Sequence, residues 1–216
     1  MSDSIVLALK VHQEKQFFKQ LAEMIRTIAN MQYELALELN IWTRGAISVG
    51  SLFINPEENI LVGQAYVDAY HLERSADFGR VILDPKIIKA LKFRPHTLAK
   101  RLQNENSPIL NFMPTDDFLQ VDWFGCLLKK SSEKRTKKIL ERVGYAEQYF
   151  EDLRNRRTEN TVLFNKSQKT LLFLARAVKQ YLSNHKNASR ETKKIIKNLE
   201  WNVGEKYLQN PRKTAN

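Results

Sequence analysis

The chain has 216 residues, a hydrophobic fraction of 43% and a formal net charge of +11. The hydrophobic fraction is high enough for a packed core and excludes an intrinsically disordered protein, while the single cysteine, Cys126, excludes an internal disulfide. No apolar run is long enough to cross a bilayer and no secretory signal opens the chain, so we expect a soluble, cytoplasmic protein.

The first predicted elements are a strand and a long helix. Ile5 to Leu9 is a nearly continuous apolar run, which predicts a strand over residues 4–11 that is covered on both faces. From Gln13 to Leu39, apolar residues recur at intervals of three and four without Pro or Gly. This spacing predicts an amphipathic helix that packs on a sheet.

The central part of the chain predicts a strand, a hairpin-like loop, a second strand and a helix. Small and branched residues alternate over Arg44–Gly50, and a short apolar segment follows at Ile60–Val62 beyond the turn-prone Asn55 and Pro56. Alanines and leucines at helical spacing then predict a helix from Gly63 to Ala76.

Four further segments complete the first part of the chain. Arg80–Pro85 predicts a strand ended by proline, and Lys86–Leu91 predicts one or two helical turns. Phe93–Ser107 contains two proline breaks and few apolar anchors, which predicts a surface excursion. Ile109–Phe112 and Phe118–Phe124 are expected to pair across a turn as a closing hairpin.

The chain changes character at Lys129. Residues 1–128 contain 13 Lys and Arg against 15 Asp and Glu, whereas residues 129–216 contain 22 against 9 and show helical apolar stripes. We therefore predict two regions, 1–128 and a basic helical region at 129–216. The charge asymmetry indicates either contact with nucleic acid or an acidic surface, or a solvated helix face, and the second interpretation is favoured.

Several common catalytic motifs are missing from the sequence. The glycines at 45 and 50 have the spacing of a phosphate-binding loop, but the lysine that would contact the phosphates is not there. The four histidines lack the spacing of metal ligands, and the chain has no nucleophile elbow of the hydrolase type.

Asp3 is the candidate metal ligand. It stands at a turn that leads directly into the predicted first strand. A carboxylate in that position suits a hard cation, because Mg²⁺ takes oxygen ligands from one or two carboxylates and from substrate phosphates. The alternative is an ordinary turn or capping residue.

Four segments occur in the order found in class III nucleotidyl cyclase domains. They are Ser2–Leu7, Arg44–Gly50, Gly63–Glu73 and Arg80–Pro85. The chain thus resembles this family over roughly residues 2–85. The resemblance is closest to bacterial pyrimidine cyclases of anti-phage (Pycsar-type) signalling systems, which the chain also resembles at Asp117–Trp123.

The resemblance implies an α+β fold. The expected architecture is a ferredoxin-like cyclase domain that lacks its first strands and is followed by the helical C-terminal region. In this family two aspartates hold two Mg²⁺ or Mn²⁺ ions, and Asp3 matches the second of them. The strand that carries the first aspartate has no counterpart here, so we expect the natural reading frame to extend upstream of Met1.

The resemblance also implies an activity. Family members convert a nucleoside triphosphate to a 3′,5′-cyclic monophosphate and pyrophosphate, and their sites lie between the two subunits of a homodimer. Where many members carry an Asn and an Arg, this chain has Val67 and His71. His71 is therefore the candidate catalytic residue for contact with the phosphates. The alternative is a catalytically inactive module that binds a nucleotide or a partner.

Overall fold

The computed structural model describes residues 4–11, 13–105, 118–130, 132, 134–142, 169–174, 177–178, 189–190, 192–194 and 197. Its named elements are α1 (Glu14–Tyr33), a π-helical segment (Glu34–Glu38), β1 (Gly45–Ile47), β2 (Phe53–Asn55), β3 (Ile60–Val62), α2 (Gln64–Ala76), β4 (Val81–Leu83), α3 (Pro85–Ala90), α4 (Pro95–Asn104) and α5 (Trp123–Lys130). This mixture of helices and small sheets is α+β in the general sense. Among the described residues, no helix is long and apolar enough to cross a membrane.

The predicted long helix is confirmed as α1 and the π-helical segment that continues it. Leu21, Ile25 and Ile28 lie at helical spacing and are buried in the core. The helix ends before Asn40, whose φ of 55° belongs to the left-handed region that terminates a helix and that asparagine tolerates better than most residues. The apolar stripe therefore faces the core, as the spacing predicted.

The main sheet is built around β4. β1 lies parallel to β4, with Gly45 opposite Val81 and Ile47 opposite Leu83. On the other side of β4, Gln120 forms an antiparallel bridge with Ile82. Because β4 has neighbours on both sides and all three of its residues are buried, the predicted strand at 80–85 is confirmed.

The predicted hairpin-like loop contains a strand of its own, β2. β3 pairs with β2 in a separate antiparallel hairpin, whose register places Phe53 opposite Val62. The turn between them is closed locally, because the Asn55 side chain accepts hydrogen bonds from the backbone N–H groups of Glu57 and Glu58. This short turn joins β2 to β3 directly. β1 pairs with β4, and the hairpin and α2 form the connection between these two parallel strands.

The predicted strand at residues 4–11 is also wrong. The segment is irregular, and its five large apolar side chains are 41–64% exposed. A strand needs a neighbour for its backbone N–H and C=O groups. Within the described part of the chain no strand lies beside this segment, although the Gln20 side chain donates a hydrogen bond to the carbonyl of Lys10.

The predicted surface excursion at Phe93–Ser107 is wrong as well, because most of it is the helix α4. Pro95 occupies the first helical turn, where the missing N–H of proline costs nothing. Leu98 and Leu102 lie one turn apart and are fully buried. Pro95 therefore marks the start of a helix rather than a break in the chain.

The predicted strand at Phe118–Phe124 is correct only as far as Val121. The backbone of residues 119–121 pairs with β4, through a hydrogen bond of 2.8 Å from Leu83 N to Leu119 O and one of 2.9 Å from Val121 N to Val81 O. α5 then begins, and the Asp122 carboxylate accepts a hydrogen bond from the N–H of Gly125 at 3.0 Å. The expected partner strand, residues 109–112, lies outside the described residues.

Helical residues beyond Lys129 pack into the same core as the first part of the chain. Residues 134–142 and 169–174 are helical, which confirms the predicted helical character there. Leu140 and Leu174 belong to the buried cluster that contains Ile25. The ring of Phe173 lies 6.1 Å from the ring of Trp123. The division at residue 128 stays a prediction.

Candidate functional site

The candidate site lies at the carboxyl ends of β1 and β4. Ser48 directly follows β1 and Asp84 directly follows β4, and parallel strands place these two positions at the same edge of the sheet. The Ser48 hydroxyl donates a hydrogen bond of 2.8 Å to Oδ2 of Asp84. Ligand sites of open α/β sheets favour this edge, which makes the pair a candidate for function.

Asp84 also begins the helix that follows. Its Oδ1 accepts a hydrogen bond of 2.8 Å from the backbone N–H of Lys86, and Pro85 occupies the first helical position. An aspartate at this position satisfies a free N–H group and compensates the positive end of the helix dipole. The carboxylate is therefore buried and fixed in orientation by both of its oxygens.

α2 contributes an ion pair beside this carboxylate. The Lys86 ammonium contacts Asp68 of α2, which also accepts a hydrogen bond of 2.9 Å from the Gln64 side chain. The hydrogen bond from Lys86 lowers the pKa of Asp68, with a further contribution from Gln64, and the same contact raises the pKa of Lys86. A polar network thus connects the start of α2 with the ends of both strands.

Two glycines allow α2 to begin close to the loop after β1. A Cβ atom on Gly63 would stand 2.3 Å from the carbonyl oxygen of Ser51, and one on Gly50 would stand 3.3 Å from the backbone nitrogen of Ala65. The N–H of Ala65 donates a hydrogen bond of 3.2 Å to the carbonyl of Ser51. The spacing of these glycines therefore serves close backbone approach, which a side chain would prevent.

His71 lies on the exposed side of α2. Its ring packs edge-on against the Tyr70 ring, with centroids 5.7 Å apart. It follows Asp68 by three residues, and the positively charged form of His71 makes a minor contribution to lowering the pKa of Asp68. The structure thus places His71 near the polar network and open to solvent.

The predicted metal ligand Asp3 lies outside the described residues. In the part of the chain that is described, no group of three or more His, Cys, Asp or Glu residues could hold a metal ion. The oxygens of Asp84 accept from Ser48 and Lys86, and those of Asp68 accept from Gln64 and Lys86. The Mg²⁺ or Mn²⁺ site at Asp3 stays a prediction.

Sequence reasoning did not select Ser48, Asp68, Asp84 or Lys86. A signal for Asp84 was nevertheless there, because an aspartate before a proline at the start of a helix is a typical N-cap. Ser48 could have been found once β1 and β4 were taken as parallel neighbours, since their ends must then meet. The ion pair between Asp68 and Lys86 depends on the packing of α2, which the sequence pattern does not define.

Comparisons with protein families, curated proteins and solved structures find no match to this chain. The resemblance to class III cyclases therefore depends on the four segments of sequence named above. Three of these segments contribute β1, α2 and β4, the elements that surround the polar network.

Proposed function

We propose that the chain functions as a class III-like nucleotidyl cyclase. It converts a nucleoside triphosphate to a 3′,5′-cyclic monophosphate and pyrophosphate, as a cytoplasmic second-messenger enzyme of anti-phage defence. One observation carries the proposal: the segments Arg44–Gly50, Gly63–Glu73 and Arg80–Pro85, which resemble the family, supply neighbouring elements with a shared polar network. A ferredoxin-like arrangement of the domain belongs to the same proposal.

The proposed chemistry requires a metal and an in-line attack. The ribose 3′-hydroxyl attacks the α-phosphorus, so that a new P–O bond forms, the bond to the pyrophosphate group breaks, and the hydroxyl proton is released. Asp3 would hold the Mg²⁺ or Mn²⁺ ion, which would supply stabilisation of the developing charge and activation of the hydroxyl. Ser48 and Asp84 act as positioning residues, because they fix the ends of the strands on which α2 packs.

The enzyme in this proposal is a homodimer. Each site takes its metal from the Asp3 side of one subunit and a phosphate contact from His71 of the other. The exposure of His71 on α2 supports this role, because a solvent-facing imidazole is free to reach a second subunit. An imidazole is a weaker phosphate partner than arginine, because it lacks the planar fork of donors that binds phosphate at two points.

The first test measures cyclisation by the full-length natural protein. It is incubated with each nucleoside triphosphate and Mn²⁺, and both pyrophosphate and cyclic nucleotide are quantified. We expect Asp3→Asn to lower turnover about a hundredfold or more, because a lost metal ligand removes several kcal/mol of charge stabilisation. Glu105→Gln, on an exposed carboxylate beyond α4, serves as the control. Unchanged turnover in Asp3→Asn would exclude this aspartate as a ligand.

A mixing experiment tests the shared site. An Asp3→Asn chain is combined with a His71→Ala chain, and heterodimers are verified by mass. If each site draws on both subunits, the mixture rebuilds one intact site per heterodimer and recovers activity. Verified heterodimers without recovery would reject the sharing of the site while leaving the cyclase activity itself open to the first test.

A catalytically inactive, cyclase-like binding module is the second candidate. It is favoured by the carboxylates of Asp68 and Asp84, whose oxygens are already engaged within the protein. Such a module would bind a nucleoside triphosphate in calorimetry and release no pyrophosphate. Binding of nucleic acid by the basic C-terminal region is distinguished by an affinity that falls steeply with salt.

A further inference from the structure

The β2–β3 hairpin and α2 expose a run of large apolar side chains. The strand register places Phe53, Ile60 and Val62 on one face of the hairpin. Tyr66, Val67 and Tyr70 follow on α2, and all six side chains are between 38% and 61% exposed. We call these six residues the hairpin–helix surface. Clusters of this size mark interaction sites more often than ordinary solvent-facing surface.

The hairpin and α2 carry opposite charges at their far ends. Glu57 and Glu58 lie exposed at the tip of the hairpin. Arg74 lies exposed in the last turn of α2, with its guanidinium 5.2 Å from the centre of the Tyr70 ring. A partner that covers both elements must therefore offer apolar area between a positive end and a negative end.

We infer that this partner is a second copy of the chain. The hairpin of each copy lies along the outer face of α2 of the other, so that Glu57 and Glu58 meet Arg74 of the partner subunit. The contact is then repeated by the two-fold symmetry of the dimer. The inference rests on the homodimer proposed above and names the surface that forms it.

The exposed area is also of the required order. Six large side chains, each about half exposed, supply apolar area on the order of several hundred Å² per copy, against roughly 800 Å² per partner in a standard interface. The hairpin forms a two-stranded sheet of its own, and such a sheet is marginally stable without packing. Covering it would stabilise the hairpin as well as the dimer.

The charge pattern favours a second copy over other partners. An anionic membrane or a nucleic acid would be attracted by Arg74 and repelled by the acidic tip, so it matches only one end of the surface. A second copy matches both ends at once, because each end is complementary to the opposite end of the same surface.

Charge reversal with sedimentation analysis tests the inference on the full chain. We expect Glu57→Lys with Glu58→Lys to convert the dimer to a monomer, and Arg74→Glu to do the same. A chain that carries all three changes should dimerise again, because both contacts are restored with the charges exchanged. The two single-sided variants, when mixed, should form heterodimers, since both contacts in the heterodimer are attractive.

Matched variants separate this result from unfolding and from loss of activity. Lys100→Glu reverses the charge of an exposed residue on α4 and should leave the dimer intact. Val62→Asp should give a monomer whose circular dichroism is unchanged. A monomeric parent chain, or a triple variant that stays monomeric while folded, would overturn the inference. The measured quantity is mass, so a dimer without cyclase activity would reject the proposed function and leave this interface standing.

Discussion

Arg80 is the largest fully buried side chain among the described residues. Its guanidinium donates 2.8 Å and 3.3 Å hydrogen bonds to the carbonyls of Ala76 and Ser75, and one of 3.1 Å to the side chain of Gln120. The two carbonyls belong to the last turn of α2, where the helix dipole favours a positive charge. Arg80 therefore joins the end of α2 to the segment that pairs with β4.

Replacement of Arg80 tests this role. Arg80→Met removes three hydrogen bonds, one of them to the buried side-chain oxygen of Gln120, and we expect the free energy of unfolding to fall by about 3 kcal/mol. Arg80→Lys keeps the charge but cannot reach all three acceptors, so its loss should be smaller. Urea unfolding measures both. A loss of less than about 1 kcal/mol in Arg80→Met would contradict the assignment.

The ion pair between Asp68 and Lys86 predicts a defined pH dependence. The pKa of Asp68 is lowered from 3.8 and that of Lys86 is raised from 10.5 by their contact. A lowered carboxyl pKa favours the folded state above the unfolded pKa, and this contribution is lost as pH falls through the folded value. The contribution of Lys86 is present below pH 10.5 and is lost as pH rises through its raised pKa.

Asp68→Asn should therefore melt at a lower temperature than the parent at pH 7 and at the same temperature well below pH 3.8. The effect should be small, because the lysine side chain is exposed to solvent. Melting curves from acid to neutral pH, recorded also for Lys86→Met, measure it. If Asp68→Asn still lowers the melting temperature in the Lys86→Met background, the ion pair is not the cause.

At the scale of elements, the sequence pattern predicted α1, β1, β3, α2, β4 and α3, because each has a strong local signal. The periodic stripe of α1 and the apolar run before Pro85 are of this kind. The partners of the strands were not predictable in the same way, because pairing depends on which edges meet in space. Residues 4–11 show the difference: their composition suits a strand, and no strand among the described residues lies beside them.

Gly63 is the position between two elements where an added Cβ atom should lower stability strongly. It stands between β3 and α2 with φ of 153°, and an added Cβ would lie 2.3 Å from the carbonyl oxygen of Ser51. We expect Gly63→Ala to lower the free energy of unfolding by about 3 kcal/mol, because backbone rather than a flexible side chain must move.

Gly79→Ala is the matched control for this change. Its Cβ would meet the Trp42 ring at 3.4 Å, an ordinary contact, so stability should change little. Denaturant unfolding of the two variants and the parent gives the comparison. Equal stability of Gly63→Ala and Gly79→Ala would show that the loop after β1 can move away from α2.

At the scale of the whole molecule, composition predicted a division near residue 128, because charge and periodicity both change there. Burial connects the two sides, since Leu140 and Leu174 lie in the same buried cluster as Ile25 and Trp123. An ion pair also connects them, between Lys169 and Asp77. The charge of each region describes its surface. Which apolar residues pack together in the core cannot be predicted from sequence periodicity.

A single core predicts a single unfolding transition. Leu174 is 2% exposed, and Leu174→Ala should lower the free energy of unfolding by about 2–5 kcal/mol, the usual range for a buried leucine.

In a Trp201→Phe background, fluorescence reports on Trp42 and Trp123 alone, both in the first part of the chain. We expect the fluorescence and circular dichroism transitions to coincide and to shift together, because Phe173 packs directly against Trp123. Lys138→Ala, on an exposed helical position, should shift neither. If Leu174→Ala shifts the circular dichroism transition and leaves the fluorescence transition unchanged, residues 129–216 fold as a separate unit.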